Sequence, residues 1–224
     1  MLTTGTGQRR DIIRECEGTQ VSTGTMSRNL RRCCLILLAC VVAAPVWAQR
    51  GALTVPRNLD QLTDRAADIV RGTVVSARVE KHPEFTNLDT VVVTLRVRET
   101  LKGNARGTFI FRQHLWDIRD RFDAAGYGKG QEMLIFMIAP SPYGLSSPAG
   151  ADQGRFRIER DRSGRETAVN GAGNTKLLDG LRAEADKEGV ALSAGQLSLV
   201  AKHRKGPIEL NQLSVLIREL ARSE

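Results

Sequence analysis

The sequence predicts an α+β fold, a small antiparallel β-barrel followed by C-terminal helices. Three observations carry this. Residues Thr90 to Arg98 alternate strictly, with Val91, Val93, Leu95 and Val97 on one side and Thr94, Arg96 and Arg98 on the other, the pattern of a half-buried antiparallel strand. Met133 to Ile138 is apolar throughout and too short for a helix, as a central strand covered on both sides requires. From Asn174 the apolar period becomes helical. Strands followed by a helical run indicate an α+β arrangement rather than alternating units.

The elements follow in order. Asn58 and Gln61 are spaced as a capping box, and Leu59, Leu62 and Ala66 continue at helical spacing, predicting a short first helix. Asp68 to Val79 is β-type, with Gly72 marking a bulge or a close backbone approach. The Thr90–Arg98 strand closes on the turn residues Lys102-Gly103-Asn104. Phe109 and Phe111 mark a strand over Thr108 to Arg112, Phe156 and Ile158 one over Arg155 to Glu159, and Ser163-Gly164 turns into a weak strand over Glu166 to Asn170. Leu177, Leu178, Leu181 and Ala185 then form a helical stripe ended by Gly189. Ser193 and Gln196 form a second capping box, Gly206-Pro207 breaks that helix, and Asn211 is placed to cap a last one built on Leu213, Leu216, Ile217 and Leu220.

The N-terminal quarter reads differently. A basic stretch, Ser27 to Arg32, follows Met26 and precedes an apolar run from Cys33 to Val46, with Val46-Trp47-Ala48 as a small-residue cleavage site. These are the three parts of a secretory signal, and the run is short for a bilayer span, which takes about 20 residues. Residues 26–48 are therefore read as a signal peptide cut between Ala48 and Gln49, giving a periplasmic or secreted protein. Leu37-Leu38-Ala39-Cys40 offers an alternative, a lipobox with a lipid anchor at Cys40, although the apolar sequence continues past that cysteine. Residues 1–25 are polar and aperiodic and read as disordered, with translation starting at Met26. Residues 49–57 are then a linker, 58–172 the β-barrel domain and 173–224 a helical extension packed on it.

Composition limits the chemistry. All four cysteines precede residue 49, so the exported domain must hold together without disulfides. The formal charge of +8 divides into +3 before residue 49 and a mild +5 after it, which suits a solvated surface as well as attraction to anions. The three histidines, His82, His114 and His203, lack the spacing of zinc ligands, so no metal and no cofactor is expected. The mature chain has no Gly-x-Ser-x-Gly elbow and no cysteine nucleophile, and no catalytic residue is assigned. Gly126-Tyr-Gly-Lys-Gly130 precedes a strand rather than a helix, which excludes a phosphate loop and reads as a flexible hairpin loop. Asp117 and Asp120 read as part of a charged loop.

One stretch stands out as a candidate binding surface. Arg112, His114, Trp116, Arg119 and Arg121 bring the only mature tryptophan together with three arginines. Trp and Arg dominate binding hot spots, and arginine pairs bidentately with carboxylate or phosphate. Against this stands burial of Trp116 as a barrel plug with solvated arginines around it.

Ala67-Asp68-Ile-Val-Arg-Gly-Thr-Val75, Val93 to Gly103, Gly130-Gln-Glu-Met-Leu-Ile-Phe136 and Gln153-Gly-Arg-Phe156 occur in this order. The run over residues 58–170 resembles uncharacterised secreted bacterial β-domains with an OB-like barrel of the netrin/TIMP type. That resemblance implies a barrel whose loops bind ligands. Metalloproteinase inhibitors of this type act through an N-terminal cysteine, which the mature chain lacks. The expectation is an exported, non-enzymatic binding module of the envelope whose partner is a protein or polymer, and not a nucleic acid. The alternatives are a regulator or inhibitor of a secreted hydrolase, or an enzyme of unrecognised type.

Overall fold

The computed structural model describes residues 54–222. The readings of residues 1–25 as disordered, of 26–48 as a signal peptide cut between Ala48 and Gln49, and of Cys40 as a lipid site lie outside the described residues. Among those described, a seven-stranded antiparallel sheet is accompanied by five helices, so the α+β class holds. The strand order is β3-β2-β1-β4-β5-β6-β7. No helix of the described residues is long and apolar enough to cross a membrane.

The chain begins with α1 (Leu59–Arg65), closed at its N-terminus by the Asn58/Gln61 capping box that the sequence predicts. Strands β1 (Asp68–Lys81) and β2 (Asp89–Lys102) form a long hairpin. Register shifts beside Val70, Gly72 and Val75 bend it. Gly72 is required here, because a Cβ on it would stand 2.7 Å from the carbonyl oxygen of Arg96. β3 (Thr108–His114) pairs with β2, and β4 (Glu132–Met137) pairs with the first half of β1. β5 (Arg155–Arg160) and β6 (Glu166–Asn170) extend the sheet from β4.

β4 separates two cores, as its unbroken apolar run implies. Leu134 and Phe136 project into a core shared with Phe156, α1 and the C-terminal helices. Met133, Ile135 and Met137 project the other way, against Val70, Val74, Val91, Val93, Leu95 and Phe111. Each of these large side chains is fully buried or nearly so, which stabilises the fold by about 1.5–3 kcal/mol apiece.

The strand pairing does not close the sheet into the expected barrel. Among the described residues, single bridges made by the loop after β4 span the gap between β3 and β4. Leu145 bridges Arg112, Pro148 bridges Met137, and the Ser146 amide donates to the Arg112 carbonyl at 2.8 Å.

The helical region departs from expectation at two points. Residues 171–180 form turns, and α3 spans Leu181–Glu188. Asn174, Lys176 and Gly180 adopt positive φ, which stops a helix from propagating through them. Leu177 and Leu178 are nonetheless buried as their stripe predicts. α4 (Ala194–Lys202) starts at the Ser193/Gln196 capping box and α3 ends on Gly189 at φ 73°, both as read from sequence. Asn211, however, does not cap the last helix. Ile208–Glu209 pair with β6 as a short strand, β7, and the chain passes straight into α5 (Leu210–Leu220) with Glu209 at the cap position. Pairing to the sheet fixes the start of that helix, leaving Asn211 already inside it.

Candidate functional site

Three loops meet at one end of the sheet. Residues 82–88 turn β1 into β2, residues 115–131 join β3 to β4, and residues 138–154 join β4 to β5. Thr90 pairs with His114, and the Leu115 amide donates to the Asp89 carbonyl at 3.2 Å, so the first two loops are neighbours. His82 ties in the third. Its Nδ1 accepts from the amides of Glu84 and Phe85, both at 3.2 Å, which makes Nε2 the donor to the Tyr143 carbonyl at 2.9 Å. The Phe85 ring then meets Tyr143 edge-on at 5.3 Å. His82 is buried, holding a turn together.

The five sequence-predicted residues all fall in this region, but they do different work. Trp116 is 73% exposed, so it does not plug a barrel; the His114 ring meets it edge-on at 5.0 Å. Ile118 and Phe122, neither of which the sequence singled out, are exposed at 69% and 87% on the same loop. The signal was present. An Ile and a Phe flanking charged residues in a loop have no core to enter.

The arginines are committed internally. Arg112 donates to Glu80 at 2.6 Å and to the Thr90 hydroxyl at 2.8 Å. Arg119 grips both oxygens of Asp117 through Nε, at 3.0 and 2.9 Å, and the Asp117 side chain also accepts from the Arg119 amide. This pairing pushes the Arg119 pKa up. Arg121 is paired with Asp89, which Lys81 also holds at 2.8 Å; hydrogen bonds from Lys81 and then Arg121 lower the Asp89 pKa. The Asp117 amide donates to Asp120 at 3.2 Å, so the loop braces itself through its own charges. Asp117 and Asp120 lie on a charged loop, as expected.

Behind Trp116 lies a cleft of about 250 Å³, lined by Gln113, Trp116, Tyr127, Asp152 and Arg155 among others. The Arg155 guanidinium lies 4.8 Å from the centroid of the Tyr127 ring. It donates to the Ala125 carbonyl at 2.6 Å and to Asp152 at 2.8 Å. The Tyr127 hydroxyl donates to Gln113 at 2.8 Å, and burial raises its pKa to about 12. The glycine-rich stretch is thus no flexible hairpin loop. It carries a buried tyrosine, and the Gly130 amide is pinned to the Val74 carbonyl at 2.8 Å. Ala124, Ala125 and Ala151 around this cleft have φ between 50° and 57°, a left-handed conformation that costs an L-residue about 1–2 kcal/mol.

Tyr127 stays neutral at physiological pH, and the loop of residues 115–131 sets Asp117, Asp120 and Asp123 against Arg119, Arg121 and Lys129. Among the described residues no group of three His, Cys, Asp or Glu side chains converges as metal ligands do. No protein-family model, curated protein or solved structure matches the chain.

Proposed function

We propose that the chain is an exported, non-catalytic binding module of the cell envelope that engages its partner through the loop end of the sheet. One observation carries this: Trp116, Ile118 and Phe122 stand exposed together on a loop braced by its own ion pairs. Large apolar side chains clustered on a surface mark an interaction site, and a braced loop loses little freedom on binding. The basic and apolar pattern of residues 26–48 supports export.

The same reading takes the loop bridges between β3 and β4 as an OB-like barrel left unclosed. In OB folds the loops between strands are the usual ligand surface. What the geometry changes is the chemistry of contact. Because Arg112, Arg119 and Arg121 are neutralised by Glu80, Asp117 and Asp89, the contact is apolar first and ionic second.

Capture from envelope extract by crosslinking tests this. The Trp116→Ala/Phe122→Ser pair abolishes capture while the circular dichroism spectrum stays that of the native protein. Capture undiminished by that pair removes the loop end from consideration. If the captured component is a hydrolase, an inhibition assay decides the regulatory alternative.

A further inference from the structure

Resting on the reading of the loop end as the binding surface, we propose that its partner is the interfacial layer of a lipid bilayer, into which Trp116, Ile118 and Phe122 insert. Three observations point there.

First, the apolar side chains protrude, Trp116 while also lining the cleft behind it. Phe122 is 87% exposed on the short helix α2 (Asp120–Asp123), and Trp116 and Ile118 stand on the turn before it. Phe85 and Tyr143, in edge-on contact and 40% and 57% exposed, rise from the two neighbouring loops. Aromatic rings with aliphatic companions at loop tips suit the boundary between headgroups and acyl chains, where amphipathic rings concentrate.

Second, the charges argue against an anionic polymer. Arg112, Arg119 and Arg121 are each paired with a carboxylate from Glu80, Asp117 or Asp89. A surface built to grip phosphates or acidic glycans leaves its cations available for them. Here they brace the loop instead.

Third, the described chain begins at this end. Thr54, whose hydroxyl accepts from Gln153 at 2.9 Å, lines the same cleft as Trp116. The apolar run ending at Val46 and Ala48 lies just upstream in sequence. Even fully extended, residues 49–53 span only about 20 Å. The link from the apolar segment to the first described residue is therefore short, and insertion of the tips would retain the domain at the membrane after cleavage.

Trp116 is the only tryptophan after residue 47, so it reports its own surroundings. The unit Arg50–Glu224, which contains both cores, is mixed with phosphatidylcholine vesicles. The Trp116 emission shifts to shorter wavelength, brominated acyl chains quench it, and vesicles containing phosphatidylglycerol act no more than about twofold more strongly, since acids and bases balance on the 115–131 loop. Ile118→Ser and Phe122→Ser each weaken partitioning by about tenfold. Neither contacts a core, so folding is not at stake. Unchanged emission with phosphatidylcholine overturns the proposal, and so does a shift that needs phosphatidylglycerol and disappears in high salt. A shift caused by envelope protein but not by either vesicle sinks the bilayer while leaving the binding-module reading standing.

Discussion

Individual residues around the cleft store conformational cost that substitution can release. Ala151 is exposed at φ 57°, where a glycine sits without a Cβ penalty. Ala151→Gly is expected to raise stability by about 1 kcal/mol, read as a higher urea midpoint with unchanged slope; a lower midpoint contradicts the assignment. Asn174 is the opposite case. It is fully buried, its side-chain amide donates to the carbonyls of Ala168 at 2.9 Å and Gly206 at 2.8 Å, and its Oδ1 accepts from the Asn170 amide at 2.9 Å. Asn174→Ala strands those groups and should cost about 3 kcal/mol in the same measurement. Tyr127 supplies a pH signature. Its folded pKa, about 12 against an ordinary 10, is raised by burial, so the neutral hydroxyl contributes stability that is complete below pH 10 and is lost as pH climbs toward 12. Ultraviolet titration should show one tyrosine ionising near pH 12, a phase that Tyr127→Phe removes. At this scale the sequence offered Trp116 as a surface anchor or a buried plug, its 73% exposure removes the plug, and what the arginines do was missed. Residue type suggests a free cation; only the fold reveals that Glu80, Asp117 and Asp89 are within reach.

Secondary elements were far more legible, because their periodicity is imposed by burial. The alternation of β2 and the solid apolar run of β4 predicted half-covered and doubly covered strands, and both capping boxes start helices where the spacing puts them. Boundaries failed where a longer-range partner overrode local preference, as when pairing with Ala168 drew Ile208 into the sheet and moved the start of α5. α5 also illustrates packing. Leu213, Leu216 and Ile217 are fully buried against the sheet, and Leu216→Ala should cost about 2–5 kcal/mol, as cavity formation in a core does. A loss under 1 kcal/mol by denaturant titration would show that α5 is a loosely held appendage.

At the level of the whole molecule, the α+β class was readable, whereas closure was not. Strand count and alternation do not say which edges meet, since closure depends on register, tilt and the path of loops. The long β4–β5 loop, with its bridges to Arg112 and Met137, has no periodic signature to announce it. The two-core arrangement does follow from sequence, because a strand without a polar face needs cover on both sides.

The two-residue strand β7 has a consequence for how the molecule ages. It occupies the outer margin of β6, and the stretch just before it, including Arg204 and Lys205, is exposed. Trypsin-like nicking there, once the clipped tail dissociates, leaves β6 as a bare margin on which a second damaged molecule can add its own strand. Briefly trypsinised material should therefore seed thioflavin-positive fibres at concentrations where uncut protein stays clear.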